Sequence, residues 1–255
     1  ATDKALVSRS LKGVDAIFPL ACLTGAPLCD KDPDMATRVN RDAIKMLLEL
    51  RSQDQLVIFP TTNSGYGIGE KGKHCDENTP LRPISLYGRL KVEAEQAVLA
   101  AEGTLTFRLA TVFGISPRMR LDLLVNDFTY RAVSDRFIVL FEAHFKRNYI
   151  HVRDVTRAFL HGLGNFERMQ GQAYNVGLSD CNISKGELCD EIKLQVPEFH
   201  IVESEIGKDP DQRDYIVSNA RIEATGYRPA FPLRQGIAEL LKGYQILRRN
   251  QFGNA

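Results

Sequence analysis

Short apolar runs alternate with amphipathic helical segments along the first 178 residues, and this alternation most constrains the fold. The runs VDAIFPLA (14–21), QLVIFPTT (55–62) and LTFRLATVFG (105–114) are largely apolar from end to end. Strands that are apolar on both faces occur in parallel sheets, where helices connect the strands and cover both sides. The sequence therefore predicts an α/β protein with a doubly wound parallel sheet.

After Ile115 the alternation becomes less regular, which indicates a second, smaller lobe folded against the first. FIVLFEA (137–143) and AYNVGL (173–178) read as strands, and the segment NYIHVRDVTRAFLHGL between them reads as a strand followed by a helix. Apolar residues at helical spacing near the end of the chain, from Ile237 to Tyr244, predict a final helix.

Composition excludes several classes of protein. With a net charge of +1 the chain has no excess charge to attract nucleic acid or a membrane surface. The five cysteines (Cys22, Cys29, Cys75, Cys181 and Cys189) include no CxxC pair and have no zinc-ligand spacing, which suits a reducing compartment. No apolar run reaches the roughly 18 residues of a membrane helix, and the first residues lack a signal-peptide core. We therefore expect a cytoplasmic protein.

Tyr87 and Lys91 lie four residues apart in a predicted helix, so their side chains share one face. A phenol with its ordinary pKa of about 10 is a poor base at neutral pH, and a neighbouring ammonium lowers that pKa. A hydroxyl at the end of the preceding strand, Thr61 or Thr62, can hold a substrate oxygen opposite the phenol. Tyrosine, lysine and threonine together can remove the proton of an alcohol while hydride leaves its carbon. The pair alone is a weak signal, because many surface helices carry Tyr and Lys at this spacing.

Motifs in register along the chain are far more specific than this pair. FPTTNSGYG, DENTPLRPISLYGRLKVEAE, FRLATVFG, KRNYIHVRDV, AYNVG and QRDYIVSNARIEATGYRP resemble, in order and spacing, the extended short-chain dehydrogenase/reductases that act as NAD-dependent nucleotide-sugar epimerases and dehydratases. FPLACLTG and VNRDAIKMLLEL are similar to two further segments of that family. The resemblance runs from residue 1 to about residue 244.

This resemblance implies a Rossmann-type dinucleotide-binding domain, formed by residues 1–117 and 150–178, and a smaller α/β nucleotide-sugar lobe, formed by 118–149 and 179–248. It implies NAD as cofactor, a nucleotide-diphosphate sugar as substrate and a homodimer. The implied catalytic residues are Thr62, Tyr87 and Lys91. The implied cofactor-binding residues are Leu20, Ala21, Cys22, Asn40 and Thr61, together with Tyr87 and Lys91. The implied substrate-binding residues are Thr111, Asn126, Arg147 and Arg213.

Several of these roles have a plainer alternative reading. Asn40 could be a hydrogen bonder at the start of a helix instead of a brace for the strand ends. Arg147 and Arg213 could form solvated ion pairs instead of holding the diphosphate, although a guanidinium fork suits a pyrophosphate well. Thr111 stands where the family commonly has Asn, so recognition of the sugar is expected to differ.

The residues after Thr62 restrict the reaction. Sugar 4,6-dehydratases of the family carry Asp-Glu at the positions of Asn63 and Ser64, and the fucose-type epimerase-reductases carry Cys at the second. Dehydration needs a general acid and a base that an amide and a hydroxyl do not supply. We therefore expect a nucleotide-sugar 4-epimerase that oxidises C4 transiently. A 4-dehydrogenase or 4-reductase is the alternative, and a catalytically silent nucleotide-binding scaffold is an alternative of another class.

Family members begin with a strand and a glycine-rich GxxGxxG turn that holds the dinucleotide pyrophosphate, and this sequence has no such turn. The first residues resemble the family from just after its third strand, so two βα units, on the order of 60 residues, are missing. We expect that a segment precedes this sequence, and a true fragment is the alternative. His151, in the apolar stretch YIHV, is expected to be a core histidine. The trio His74, Cys75 and Asp76 lacks a fourth ligand at a sensible spacing, so no metal site is predicted.

Overall fold

The structure, a computed structural model, describes residues 1–117, 119–205 and 213–246. Its helices are α1 (Lys4–Ser10), α2 (Ala26–Lys31), α3 (Pro33–Thr37), α4 (Ala43–Leu50), α5 (Leu86–Leu99), α6 (Leu124–Ser134), α7 (Val152–Gly164), α8 (Phe166–Met169), α9 (Lys185–Lys193), α10 (Ala220–Ala224) and α11 (Leu233–Ile246). Its strands are β1 (Ala16–Ile17), β2 (Leu56–Thr62), β3 (His74–Cys75), β4 (Thr104–Leu109), β5 (Thr111–Phe113), β6 (Phe137–Phe141), β7 (Lys146–His151), β8 (Ala173–Val176), β9 (Asn182–Ser184), β10 (His200–Ser204) and β11 (Ile216–Val217). A π-helical turn, Arg38–Asp42, joins α3 to α4, and a 3₁₀ turn, Asn63–Tyr66, follows β2.

Internal contacts divide the chain into two units. Unit 1 consists of residues 1–67, 77–109 and 158–175, and unit 2 consists of residues 68–76, 110–157 and 176–255. The assignment of one domain to the dinucleotide and one lobe to the nucleotide sugar stays a prediction. Residues 118, 206–212 and 247–248 of the predicted lobe lie outside the described residues.

Unit 1 is built on a four-stranded sheet with the order β1-β2-β4-β8, in which β1, β2 and β4 are parallel. Val57 and Phe59 of β2 pack with Ile44 of α4 and with Ala94 and Val98 of α5 on one face. On the other face Phe107 of β4 contacts Phe159 of α7, with ring centroids 5.6 Å apart, and Phe159 also contacts Phe18 at 5.5 Å. Helices therefore cover both sides of a parallel sheet, as the apolar runs predict.

Helix α5 begins directly after Ser85. Ser85 is the N-cap, and its hydroxyl accepts a hydrogen bond from the backbone N–H of Gly88 at 3.1 Å. Such a cap satisfies one of the backbone donors that every helix start leaves open. The cap fixes the first turn of α5, which carries Tyr87.

Unit 2 contains a three-stranded sheet with the order β5-β7-β9 and two parallel pairs, β6 with β10 and β3 with β11. Strands β5 and β7 are parallel, whereas β7 and β9 are antiparallel. Its core joins buried side chains of α6, α9 and α11, among them Val125, Leu188, Ile192 and Ile237. The final helix predicted from the apolar spacing is α11.

Two expected strands differ from the structure. The strand expected over 14–21 is reduced to Ala16–Ile17, because Pro19 has no backbone N–H to continue the ladder. The single strand expected over 105–114 is two strands, β4 and β5, which belong to different sheets and separate at Ala110. An apolar run cannot reveal this break, since both halves are buried.

We predict that Leu188→Ala lowers the free energy of unfolding by about 2–5 kcal/mol, because it leaves a cavity in the core of unit 2 where Leu188 is fully buried. Leu194→Ala removes the same atoms from a side chain that is 67% exposed, and is expected to change stability by less than about 0.5 kcal/mol. Urea unfolding of both variants checks this. Equal losses in the two variants would contradict the described core.

Candidate active site

Thr62, the last residue of β2, lies at the carboxyl end of the unit 1 sheet. Its backbone is extended, and it caps the 3₁₀ turn Asn63–Tyr66. The Thr62 hydroxyl donates to Ser64 Oγ at 3.0 Å and accepts from the backbone N–H of Ser64 at 3.1 Å. These two bonds fix its rotamer and leave one lone pair to accept a bond from a ligand.

Lys91 of α5 is a buried cation close to the end of β2. Its side chain is buried, its Nζ donates to the carbonyl oxygen of Pro60 at 2.6 Å, and it lies 4.0 Å from the centroid of the Phe59 ring. Burial lowers the pKa of Lys91 to about 8, and the nearby Cys22 and Glu95 act in the opposite direction. An ammonium with a pKa in this range is still mostly protonated at neutral pH, but it is held at a desolvation cost.

Tyr87 lies one turn before Lys91 on α5 and is half-buried. Its ring packs against a small apolar cluster that contains Cys29, Ala36 and Leu90. The i, i+4 spacing puts the phenol and the ammonium on the same side of the helix. The structure therefore places Thr62, Tyr87 and Lys91 all in unit 1, with Lys91 bonded to the strand that ends at Thr62.

Asn40 braces the loop that follows β1. Its side-chain oxygen accepts from the backbone N–H of Leu23, and its amide donates to the Leu23 carbonyl oxygen, both at 2.8 Å. Its position inside the helical segment 33–50 makes the alternative role at a helix start wrong; Asp32 caps that segment. Leu20 and Ala21, which the resemblance assigns to the dinucleotide, are exposed in the same loop, and Cys22 is half-buried there.

Three buried polar atoms near Thr62 have no protein partner in the described part of the chain. They are the hydroxyl of Thr61 and both the oxygen and the nitrogen of the Asn63 amide. Thr61 and Asn63 flank an extended residue, so their side chains lie on the same face as Phe59, the face that α5 covers. Buried polar groups are normally hydrogen-bonded, so this end of β2 has bonding capacity that the described residues do not use.

Sequence reasoning missed a buried polar cluster in unit 1. Arg108 of β4 donates to Glu95 Oε1 from both Nε (2.9 Å) and Nη2 (2.6 Å), and its Nη1 donates to the hydroxyl of Tyr66 at 3.0 Å. Tyr66 in turn donates to Asn175 at 2.7 Å. A single arginine inside the apolar run LTFRLA was a signal, because a buried guanidinium requires acceptors.

The predicted substrate residues all lie in unit 2. Arg147 of β7 is buried, its Nη1 donates to the Lys146 carbonyl oxygen at 2.8 Å, and its guanidinium lies 5.6 Å from the Tyr215 ring. Arg213 is half-buried, and its neighbour Asp214 accepts from the backbone N–H of Lys146 at 2.8 Å. The structure thus brings the chain segments of Arg147 and Arg213 together.

The two other candidate residues of unit 2 are Thr111 and Asn126, and the hydrogen bonds of Asn126 within the protein limit what it can offer a ligand. Thr111 is the first residue of β5 and is half-buried. Asn126 is buried in α6, where its oxygen accepts from Gly114 N–H at 3.1 Å and its amide donates to the Arg120 carbonyl at 3.0 Å. A phosphate contact from Asn126 would have to use its second amide hydrogen.

His151 lies in the core of unit 2, as its apolar surroundings indicate. Its ring stacks on Phe231 at 5.0 Å and meets the edge of Phe113, and burial lowers its pKa.

Across residues 1–117, 119–205 and 213–246, no three His, Cys, Asp or Glu side chains come together in a way that could hold a metal ion. Within the same residues, no helix combines the length and the apolar character needed to cross a bilayer.

Comparison with known proteins identifies the family. The family model described as the NAD dependent epimerase/dehydratase family matches residues 1–177, more than half of the chain. The chain therefore belongs to the NAD dependent epimerase/dehydratase family. This membership confirms the resemblance, the enzyme class and the family's cofactor, NAD.

The sequence relatives are distant. The chain is 26% identical over 240 residues to the uncharacterised UDP-glucose epimerase YtcB of Bacillus subtilis, and the match covers 89% of this chain and 73% of YtcB. It is 26% identical over 202 residues to the dTDP-D-glucose 4,6-dehydratase of Bos taurus, covering 74% of this chain and 55% of that enzyme. The chain thus spans little more than half the length of the cattle enzyme.

Two solved structures illustrate the shared fold. The UDP-glucose 4-epimerase of Thermus thermophilus, in complex with NAD, superposes with a TM-score of 0.80 at 21% identity over 96% of this chain and 82% of that chain. DesIV, the dTDP-glucose 4,6-dehydratase of Streptomyces venezuelae, superposes with a TM-score of 0.81 at 22% identity over 98% and 79%. These likenesses confirm the predicted α/β, Rossmann-type fold.

The residues around Thr62 fit the nicotinamide riboside end of NAD. The described residues give Lys91 one acceptor, the Pro60 carbonyl, so two of its three N–H donors have none there. The unbonded hydroxyl of Thr61 lies on the same strand. Ribose hydroxyls can both accept from the ammonium and donate to a hydroxyl oxygen, so the donor set suits such a ligand.

We predict that Lys91→Met raises the free energy of unfolding of the ligand-free protein at pH 7 by about 1–3 kcal/mol. The pKa of Lys91 is about 8 in the folded protein and 10.5 ordinarily, and this difference corresponds to a destabilisation of about 3 kcal/mol. The substitution removes that cost, but it also removes the hydrogen bond to Pro60, which contributes about 1 kcal/mol of stability. Between the two pKa values the unfolded chain binds the additional proton, so wild-type stability rises with pH. The advantage of Lys91→Met should therefore shrink at pH 10.

Urea unfolding at pH 7 and pH 10 measures both effects. Lys193→Met, which changes an exposed lysine, is the control and should alter stability by less than about 0.5 kcal/mol at either pH. The same stability change for Lys91→Met at both pH values would show that the ammonium is not desolvated.

Proposed function

We propose that the protein is an NAD-dependent nucleotide-sugar 4-epimerase. The observation that carries the proposal is the placement of Thr62, Tyr87 and Lys91 in unit 1, with the buried ammonium of Lys91 one turn from the phenol and bonded to the strand that ends at Thr62. Family membership gives the proposal its chemical class. UDP-glucose 4-epimerases are among the similar structures.

In this proposal Tyr87 is the general base and Thr62 holds the sugar's C4 oxygen. The Thr62 hydroxyl donates to Ser64 in the ligand-free protein, and rotation of its O–H would let it donate to the C4 oxygen instead, so that the C4–OH proton points to Tyr87. Tyr87 takes the C4–OH proton, helped by the positive charge of Lys91, which favours the phenolate. NAD, when bound, would accept the hydride from C4 and, once reduced, would supply it to the opposite face of the 4-keto sugar. Tyr87 returns the proton to the C4 oxygen as the hydride returns to the carbon, which completes the inversion at C4.

The substrate is proposed to be a nucleotide diphosphate sugar. Arg147 and Arg213 would bind its phosphates, because planar guanidinium groups bind phosphate oxygens in pairs. Thr111 and Asn126 are proposed to contact the remainder of the ligand. Unit 1 would then hold the dinucleotide and unit 2 the nucleotide sugar, and the active protein would be a homodimer.

Asn63 and Ser64 favour epimerisation over dehydration. Elimination of water across C5 and C6 needs a base for the C5 proton and an acid for the C6 hydroxyl, and neither an amide nor a hydroxyl exchanges protons readily near neutral pH. The Ser64 hydroxyl is moreover bonded to Thr62. A 4-dehydrogenase or 4-reductase uses the same residues, and analysis of the product separates it from an epimerase.

We predict that Tyr87→Phe lowers turnover by about 10²- to 10⁴-fold, since it removes the group that takes the proton. The assay incubates UDP-, GDP-, CDP- and dTDP-linked hexoses with the protein and NAD and analyses the sugars by NMR. Tyr227→Phe is the control, because its buried hydroxyl donates to the Asp154 carbonyl in unit 2 and should not affect turnover.

The products distinguish the possible functions. A pair of C4 epimers identifies the epimerase, whereas a 4-keto sugar formed with stoichiometric NADH identifies a dehydrogenase. If wild type converts none of these sugars, or if Tyr87→Phe converts them as fast as wild type, the enzymatic proposal is wrong.

We further predict that Thr61→Val weakens NAD binding about 3- to 10-fold, the effect of one lost hydrogen bond, while leaving the ligand-free protein as stable as wild type or more so. Thr106→Val is a matched control, since Thr106 of β4 also has a buried hydroxyl without a partner among the described residues. Thr106 pairs with Phe59, farther from the strand end. Calorimetric titration with NAD checks both variants, and equal affinities for the two would contradict a role for Thr61.

A further inference from the structure

The buried cluster around Arg108 connects the two chain segments that carry the proposed catalytic residues. Glu95 lies on α5, four residues after Lys91 and eight after Tyr87, so all three share one helix face. Tyr66 is the last residue of the 3₁₀ turn that Thr62 caps. The guanidinium of Arg108 bonds to Glu95 on one side and to Tyr66 on the other.

Further bonds tie the same guanidinium to the rest of unit 1. Its Nη1 also donates to the carbonyl oxygen of Glu77, in the segment that leads to α5, at 3.2 Å. The Glu77 carboxylate accepts from the backbone N–H of Asn175 at 2.8 Å, and Asn175 accepts from Tyr66 at 2.7 Å. Strand β8, the turn after β2 and the approach to α5 are thus joined through a network centred on buried side chains.

Stability alone does not account for a buried ion pair of this kind. The side chains of Arg108 and Glu95 are only 7% and 2% exposed, so both lose most of their hydration on folding. Replacement of such pairs by apolar residues is often neutral or stabilising. A planar guanidinium has five N–H donors in a fixed geometry, so its hydrogen bonds fix the positions and angles of the groups that accept them.

The relative position of these groups matters because proton transfer needs heavy atoms about 2.6–3.2 Å apart. Thr62 and Tyr87 belong to different elements, and nothing in the covalent chain sets the distance between their oxygens. A misplacement of about 1 Å can reduce the rate roughly 100-fold. A rigid connection between the turn and the helix removes that freedom.

We propose that Arg108 is a positioning residue that sets the distance between the Thr62 hydroxyl and the Tyr87 phenol by bonding to Tyr66 in the turn and to Glu95 on the helix. This inference rests on the proposed function, because it assigns the two oxygens to one reaction. The hydrogen bonds described for Arg108 go to Glu95, Tyr66 and Glu77, none of which takes part directly in the proposed reaction.

The test is Tyr66→Phe, which removes one hydroxyl and leaves the Arg108–Glu95 pair intact. We expect kcat to fall at least 10-fold while the KM for the nucleotide sugar changes less than twofold, because the ligand contacts remain. The matched control is Tyr227→Phe, which also removes a buried hydroxyl with a bond of 2.8 Å. Tyr66→Phe should lose more thermal stability than the control, because the Tyr66 hydroxyl makes two bonds among the described residues and the Tyr227 hydroxyl one. The control should keep wild-type kcat.

A second readout needs neither substrate nor cofactor. Hydrogen exchange of the backbone amides, followed by mass spectrometry, should become faster in the turn 63–66 and the first turn of α5 in Tyr66→Phe. The same peptides in Tyr227→Phe should exchange as in wild type. Unchanged exchange in Tyr66→Phe would overturn the inference, whatever the activity of the preparation.

A double-mutant cycle tests whether the effect passes through the guanidinium. Arg108→Lys keeps the charge but loses the fork, so it should lower kcat as well. If Tyr66 acts through Arg108, the double variant should be no slower than Arg108→Lys alone. A double variant whose kcat falls by the product of the two single reductions would overturn the inference. So would a kcat for Tyr66→Phe equal to that of Tyr227→Phe. A wild type without turnover would instead defeat the proposed function, and the exchange readout would still decide the role of Arg108.

Discussion

The parallel pairing of β2 with β4 is the constraint on which the rest of unit 1 depends. Parallel neighbours cannot be joined by a tight turn, so the chain must cross one face of the sheet, and α5 makes this crossing. A helix that returns the chain in this way begins at the edge where the preceding strand ends. The last residue of β2, Thr62, and the first turn of α5, with Tyr87, therefore lie at the same edge, where open α/β sheets bind ligands.

Burial of Lys91 follows from the same geometry and opposes stability. The face of α5 that covers β2 carries Ala94 and Val98 deep in the core, and Lys91 lies one turn nearer the strand end on that face. Its ammonium meets the Phe59 ring and one carbonyl oxygen, which replace only part of its hydration. The hydroxyl of Thr61 and the amide of Asn63, which have no partner in the described part of the chain, add to this cost. Folded proteins accept such local costs mainly where ligands bind, since the ligand supplies the missing partners.

The sequence is informative where a local pattern has a local physical cause. The apolar strands, the α5 start capped by Ser85 and the strand-to-helix passage at His151 follow from periodicity and capping. The break at Ala110 does not, because burial in two different sheets leaves one continuous apolar run. The Arg108 cluster also could not be predicted from the sequence, since its partners come from separate segments that only the fold brings together. The resemblance identified Asn40 as a candidate site residue, but its two hydrogen bonds to Leu23 are apparent only in the folded structure.

The disposition of carboxyl groups bears on the chemistry that this edge of the sheet can support. Glu95 is the carboxylate on the Lys91 face of α5, and both of its bonds from Arg108 arrive at the same oxygen, Oε1. Its charge is matched by that guanidinium in a buried ion pair, whose two side chains are 2% and 7% exposed. The turn after Thr62 offers an amide and a hydroxyl where an eliminating enzyme needs an acid and a base. In the proposed reaction proton transfer is assigned to Tyr87, and a single phenol suffices for a reaction that removes and restores one proton on one oxygen, as epimerisation at C4 requires.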